Sequence, residues 1–182
     1  GGASGGGHGH DVPDRLNHPP TQEQLANARK LVDDTRAAAR QQGLNTVAGL
    51  KAKGYISIGD ELTGTTHYVK PGFHYDPHEL NPQYIEAFAV RQNQVVAAMY
   101  ILSNGKTEAD IPDIAGNLTV WHDHTLPFRS NDPQNPDYYR LGGRNIRKTA
   151  PMLHVWLVEN PCGAFAGTDT GNMTGSCEAV IK

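Results

Sequence analysis

The stretch at residues 84–102, YIEAFAVRQNQVVAAMYIL, decides the fold. It contains two apolar segments, 84–91 and 94–102, and only Gln92 and Asn93 lie between them. Apolar, β-branched and aromatic segments that are joined by a two-residue connection are typical of a β-hairpin. The sequence therefore predicts two adjacent antiparallel strands in the middle of the chain.

Further short strands are predicted on both sides of this hairpin. Their predicted ranges are 55–58 and 65–69 before it, and 118–124 and 152–159 after it. Residues 126–150 are rich in Pro and Asn, which predicts a long loop between the last two strands.

The N-terminal part of the chain is predicted to be helical. Over residues 21–42 apolar residues recur at helical spacing, and Thr21 and Gln24 have the spacing of a capping box. Gly43 is a natural C-terminal residue for this helix, and a second short helix is predicted over 44–53. Helices that precede a set of strands indicate an α+β domain, with N-terminal helices packed on an antiparallel sheet and long loops.

Residues 1–20, GGASGGGHGHDVPDRLNHPP, differ in composition from the rest of the chain. They are rich in Gly and then in Pro, and they contain too few apolar residues to form a core. We therefore expect a flexible arm over residues 1–20 and a single domain over residues 21–182. The arm contains His8, His10 and His18, which we expect to be solvated.

The charge and hydropathy of the chain argue against two classes of partner. It has 16 Lys and Arg against 19 Asp and Glu, a net charge of −3, whereas proteins that bind nucleic-acid phosphates usually have a basic surface. It also lacks an apolar run of about 18 residues, the length that a membrane span requires. We therefore expect neither a nucleic-acid partner nor a membrane span.

Histidines provide the sharpest functional signal, since the chain has 9 of them. In the motif WHDH at 121–124, His122 and His124 are two residues apart on a predicted strand, so they project to the same face. His154 in MLHVWLV and His67 in TTHY are candidates for further ligands from other strands. The sequence predicts a metal site formed by His67, His122, His124 and His154. The alternative is that these histidines only form hydrogen bonds in the core.

The identity of the metal follows from the type of ligand. Three or four imidazoles favour copper or zinc over Mg²⁺ and Ca²⁺, and we favour copper slightly because an all-histidine site outside the cytosol suits it. A site with an open coordination position would support redox or hydrolytic chemistry. Tyr68, Tyr100 and Asp123 would then be candidates for orienting the ligands or moving protons. The sequence leaves open whether the chain is an enzyme and identifies no catalytic residue.

Two groups of motifs resemble a family of uncharacterised exported bacterial proteins. The first group is HYV at 67–69, DP at 76–77 and the strand segments between 82 and 100. The second group is LHVW at 153–156, NPCGAFA at 160–166 and a late Cys177. The resemblance covers residues from about 50 to 178. It implies export and matches His67 and His154 to histidines of the family, but it implies no activity.

We expect a secreted, periplasmic or cell-surface protein. The sequence begins at Gly1, which a removed signal peptide or a shortened N-terminus would explain. An alternative function is a non-enzymatic subunit of an extracellular or cell-surface assembly, whose histidines are structural. In that case the arm at residues 1–20 would contact a neighbouring subunit, including a second copy of the chain.

Cys162 and Cys177 are predicted to form a disulfide in an oxidising compartment, and two free thiols are the alternative. The bond would close a loop of about 16 residues and stabilise the fold by about 3 kcal/mol. We expect an alkylating reagent to add mass to the denatured chain only after reduction, as measured by mass spectrometry. Alkylation of both cysteines without a reductant would contradict the disulfide and weaken the case for export.

Overall fold

The computed structural model describes residues 13–73, 77–103, 105–124, 149–167 and 181–182, and the backbone of residues 8–9, 140–141 and 144–145. The α-helices are α1 (Gln22–Gln41) and α2 (Val47–Ala52). Short 3-10 helices occur at Asp14–Leu16, Glu61–Thr63, Glu108–Asp110 and Gly116–Leu118. The strands are β1 (His8–Gly9), β2 (Ile56–Ser57), β3 (Thr66–Val69), β4 (Ala87–Arg91), β5 (Gln94–Ile101), β6 (Asp123–His124), β7 (Arg140–Leu141), β8 (Arg144–Asn145) and β9 (Met152–Trp156).

The main sheet has five antiparallel strands in the order β2-β3-β4-β5-β9. With the N-terminal helices it forms an α+β fold, which confirms the predicted class. The β4–β5 hairpin is also confirmed. Its turn residues Gln92 and Asn93 have φ angles of 48° and 61°, and two successive positive φ angles are typical of the type I′ turn that joins hairpin strands.

The predicted N-terminus of α1 is confirmed. The Thr21 side chain accepts a hydrogen bond from the backbone N–H of Gln24, and the Gln24 side chain accepts one from the N–H of Thr21. Helix α2 begins at Val47, later than predicted, because the Thr46 side chain caps it by accepting a hydrogen bond from the N–H of Gly49. Among the described residues, no helix has both the length and the hydrophobicity of a membrane span.

The two faces of the sheet have separate apolar cores. The first face packs on α1, and its buried side chains include Tyr68, Phe88, Ala98, Tyr100, Leu153 and Val155, with Val32 of the helix. The second face carries a smaller cluster that includes Ala87, Ala89, Ala97, Met99, Met152 and Trp156, with Ala166 from the C-terminal part. Arg36 of α1 also donates hydrogen bonds to the backbone carbonyls of Trp156 and Lys182, at 3.0 and 2.8 Å. The helix is therefore fixed directly to strand β9.

The strand predicted over residues 118–124 is much shorter in the structure, where β6 comprises only Asp123–His124. Asp113 and Thr119 both form hydrogen bonds with Gly116, and a 3-10 helix takes up residues 116–118. Strand pairing starts only at His122, which forms an isolated bridge with Met152. The predicted loop at 126–150 lies mostly outside the described residues, and within it β7 and β8 pair with each other.

Within the segment expected to be an arm, residues 13–20 contact the domain. Leu16 is fully buried in the main core, and His18 attaches this segment to the loop at 113–117. The backbone N–H of Asn117 donates to the carbonyl of His18. Residues 1–7 and 10–12 lie outside the described part of the chain, so the expected arm is not tested there.

His18 holds this segment through both of its ring nitrogens. Nδ1 lies 2.7 Å from the carbonyl oxygen of Pro19, and Nε2 lies 2.6 Å from Oδ2 of Asp113. A carbonyl and an ionised carboxylate can only accept hydrogen bonds, so both ring nitrogens donate and the ring is an imidazolium. The hydrogen bond to Asp113 raises the pKa of His18 above its ordinary value, and the same bond lowers the pKa of Asp113.

We expect His18 to make the stability of the fold depend on pH. Because the pKa of His18 is raised in the folded state, its contribution to stability is complete below its pKa in the unfolded chain, about 6.5. That contribution is lost as the pH rises through the pKa of the folded state. The lowered pKa of Asp113 means that the contribution is also lost as the pH falls below about 4. Urea unfolding should therefore show the largest difference between the wild type and His18→Gln between about pH 4 and 6.5. A difference that does not change with pH would contradict the imidazolium pair.

A buried hydroxyl pair joins α1 to β5 and predicts an unequal effect of two substitutions. The Thr35 hydroxyl donates to the carbonyl of Leu31. The Tyr100 hydroxyl lies 2.6 Å from the Thr35 oxygen and donates a hydrogen bond to that oxygen. Thr35→Val leaves the Tyr100 hydroxyl buried without an acceptor, which costs about 1–3 kcal/mol, whereas Tyr100→Phe removes one hydrogen bond worth about 1 kcal/mol. Chemical denaturation should show the larger loss for Thr35→Val, and the opposite order would contradict this arrangement.

Candidate functional site

The candidate site lies at the outer edge of β9, on the second face of the sheet. His154 is paired with Met99 of β5 and is fully buried. The outer edge of β9 is bonded at Met152, which exchanges two backbone hydrogen bonds with His122, and at Trp156, whose N–H donates to the carbonyl of Ala164. His154 therefore lies midway between two points at which other segments cover this edge.

The structure brings His122 and His154 into direct contact. Their ring centroids are 4.7 Å apart, and their planes differ by 3°. His122 is 3% exposed and His154 is 0% exposed, while the Trp156 ring lies 6.4 Å from that of His154. Two of the four predicted ligands are thus neighbours in a site that is shielded from water.

The orientation of His122 suits a metal ligand. Its Nδ1 lies 3.1 Å from the backbone carbonyl of Val120. Because the carbonyl can only accept, Nδ1 carries the proton, and in the neutral ring Nε2 is then the nitrogen with the lone pair. A backbone carbonyl on the other ring nitrogen is a common way to fix the tautomer of a metal-binding histidine.

The parallel arrangement of the two rings also limits what they can do. A metal ion lies in the plane of each imidazole that binds it, and two stacked parallel rings have no plane in common. One of the rings must therefore turn about its Cβ–Cγ bond before His122 and His154 can bind the same ion.

His124 is placed by its backbone. It lies two residues after His122 in β6, and its side chain is outside the described part of the chain. The described residues contain no group of three or more His, Cys, Asp or Glu side chains that could hold a metal ion. The predicted pair of His122 and His124 therefore stays a prediction.

His67 lies far from the other predicted ligands. It pairs with Ala89 in β4, and β4 and β5 both separate its strand from β9. Three strand spacings of about 4.8 Å put β3 and β9 about 14 Å apart. Two nitrogens on one zinc ion must lie within about 4 Å of each other, since each bond is about 2.0–2.1 Å long. His67 and His154 lie on the same face of the sheet, but their strands are too far apart for both residues to bind one ion.

His67 instead forms a pair with Asp60. Its backbone N–H donates to one carboxylate oxygen of Asp60 at 2.9 Å, and its Nδ1 contacts the other oxygen. The two side chains are 13% and 11% exposed. Sequence reasoning missed Asp60, although the short connection between the adjacent strands β2 and β3 places it next to the start of β3.

Two of the three residues expected to assist the site lie elsewhere. Tyr68 and Tyr100 belong to the core under α1, because alternation along β3 and β5 places them on the opposite face from His67 and Met99. Burial raises the pKa of Tyr100 far above its ordinary value, so its phenol stays protonated. Asp123, which follows His122, is 6% exposed and remains near the candidate site.

The predicted disulfide is not tested by the described residues. Cys162 packs against the apolar cluster of the second face, and no free thiol occurs in the described part of the chain. Cys177 lies outside that part, so the pairing of the two cysteines stays a prediction.

Comparisons with known proteins do not assign the chain to a family. No family model matches it, and neither the curated proteins nor the solved structures contain a significant match.

Proposed function

We propose that this chain is an exported protein that binds one copper or zinc ion through His122, His124 and His154. The observation that carries the proposal is the contact between the buried rings of His122 and His154. Imidazole nitrogens are the ligands that copper and zinc accept in proteins. Two neighbouring imidazoles that are shielded from water therefore support a metal site at this edge of the sheet.

The ligand set that we propose differs from the sequence prediction by leaving out His67. That residue is held by Asp60 on the far side of β4 and β5, whereas His124 follows His122 by two residues in the segment next to β9. A three-histidine site leaves one tetrahedral position for water or a substrate. Copper at such a site supports redox chemistry, and zinc supports hydrolysis.

Export is proposed together with the metal site. It rests on the resemblance to exported bacterial proteins and on the predicted disulfide of Cys162 and Cys177. Copper fits the proposed site because imidazole ligands suit it, and selection of a metal also depends on its availability in the compartment. The alternative of a non-enzymatic assembly subunit requires no metal, so a measurement of metal binding separates the two functions.

We expect the purified full-length chain to retain about one ion per molecule after incubation with Cu²⁺ or Zn²⁺ and removal of the excess. His122→Gln and His154→Gln should weaken binding by more than about 100-fold, since loss of a group that only orients a ligand already costs about 10–100-fold. Elemental analysis and competition with a coloured chelator measure both quantities. His67→Gln is the matched control, and it should bind the ion as tightly as the wild type.

Thermal unfolding separates loss of the site from loss of the fold. A ligand that binds only the folded chain raises the midpoint of unfolding, so added metal should raise it for the wild type and for His67→Gln, but not for His154→Gln. A wild-type chain that binds no ion would overturn the proposal and favour the assembly subunit. Equal binding by His67→Gln and His154→Gln would also overturn it.

A further inference from the structure

A buried methionine is a neighbour of both histidines at the edge of β9. Met152 lies directly opposite His122, and the two residues exchange backbone hydrogen bonds of 3.1 and 2.7 Å. Opposite residues that exchange both bonds have Cα atoms about 5.5 Å apart and side chains on the same face. Met152 also precedes His154 by two residues on β9, so their side chains share this face. The thioether of Met152 therefore belongs to the same cluster as the two imidazoles.

The surroundings of this cluster are dry and apolar. Met152 is 3% exposed and packs in the cluster of the second face, with Trp156 and Ala166. The indole N–H of Trp156 donates to the carbonyl of Ala166 at 3.0 Å, which fixes the indole beside His154. An ion at this position would be surrounded by imidazole, thioether and apolar groups.

The chemistry of a thioether separates the two metals that the proposed function leaves open. Methionine sulfur is a soft, uncharged ligand that selects Cu(I), whereas Zn²⁺ binds imidazole, thiolate and carboxylate. Methionine is also unbranched, with three rotatable bonds, so its sulfur can adopt several positions relative to the two rings.

Burial favours the same ion. The cost of moving an ion out of water rises with the square of its charge, and uncharged ligands do not offset that charge. Met152 is uncharged, and His122 and His154 bind metals as neutral imidazoles. A singly charged ion is therefore easier to accommodate among these three side chains than a doubly charged one.

We propose that the site binds Cu(I) and that the thioether of Met152 is its fourth ligand, beside the histidines. This inference rests on the proposed function and deepens it, because it names the metal, its oxidation state and the group that selects it. The same histidines without the thioether would bind Zn²⁺, with water in the fourth position.

The test compares two metals on the full-length chain. Cu(I) is supplied under nitrogen with ascorbate, which leaves the predicted disulfide intact, and bicinchoninate serves as the competing coloured chelator. We expect Met152→Leu to weaken Cu(I) binding at least about 10-fold, the lower end of what loss of a group that orients a metal ligand costs. Its affinity for Zn²⁺ should equal that of the wild type, because Leu conserves the volume of Met.

Met99→Leu is the matched control. Met99 is 2% exposed on the same face and lies opposite His154, but it belongs to β5, so β9 separates it from His122. This variant makes the same exchange in the same cluster, and it should bind Cu(I) like the wild type. Loss of Cu(I) binding in Met99→Leu but not in Met152→Leu would overturn the assignment of Met152.

X-ray absorption at the copper edge provides a readout that does not depend on affinity. At saturating protein, copper in the wild type and in Met99→Leu should have nitrogen neighbours and one sulfur neighbour. Copper in Met152→Leu should have nitrogen neighbours alone. A sulfur neighbour that remains in Met152→Leu would overturn the proposal, because the sulfur would then come from another residue.

The outcomes distinguish this inference from the function on which it rests. If His154→Gln loses Cu(I) while Met152→Leu binds it as tightly as the wild type, the thioether ligand is overturned and the histidine site stands. Equal weakening of Cu(I) and Zn²⁺ binding by Met152→Leu would also overturn its selective role. If the wild type binds neither copper nor zinc, the proposed function fails, and the inference fails with it.

Discussion

The register of the β4–β5 hairpin is the constraint on which the rest of the structure depends. The turn at Gln92 and Asn93 adopts two positive φ angles, and this geometry matches the right-handed twist of the strands that it joins. Strand β5 then serves as the template for β9, so the same register passes on to His154 through Met99. A slip by one residue would exchange the two faces of the sheet along its whole length.

This register places helix α1 and the candidate site on opposite faces of the sheet. One face packs on α1, where small residues such as Ala28 and Ala39 allow the helix to approach closely. The other face carries Ala87 and Ala89 on β4, Ala97 and Met99 on β5, and His154 and Trp156 on β9. The histidines that concern the candidate site are therefore on the face that the helix does not cover.

Two imidazoles outside the proposed metal site are held by carboxylates that lie in loops. His18 contacts Asp113 and fastens the segment before α1, and His67 contacts Asp60 and fastens the start of β3. Both pairs join a residue at the margin of a regular element to a nearby turn. These contacts give His18 and His67 structural roles. In the described part of the chain, the imidazoles that face each other are those of His122 and His154, at the edge of β9.

Local sequence was sufficient for the elements that depend on local chemistry. The capping box at Thr21, the helical spacing over α1 and the alternation over β4 and β5 all involve residues that are close in the chain. Strand formation after Leu118 was predicted less well, because hydrogen bonds to Gly116 favoured a 3-10 helix there. The packing of Leu16 was missed, since a single apolar residue in a polar segment has no periodicity that marks it.

The sequence by itself determined the α+β class, the central hairpin and the candidate histidines. Only the tertiary structure decided which histidines are neighbours: it brought His122 to His154 and placed His67 beyond two intervening strands. The reason is physical, because alternation along a strand specifies the face of a residue but not its lateral position in the sheet. That position follows from strand order, which is set by contacts between segments far apart in the chain.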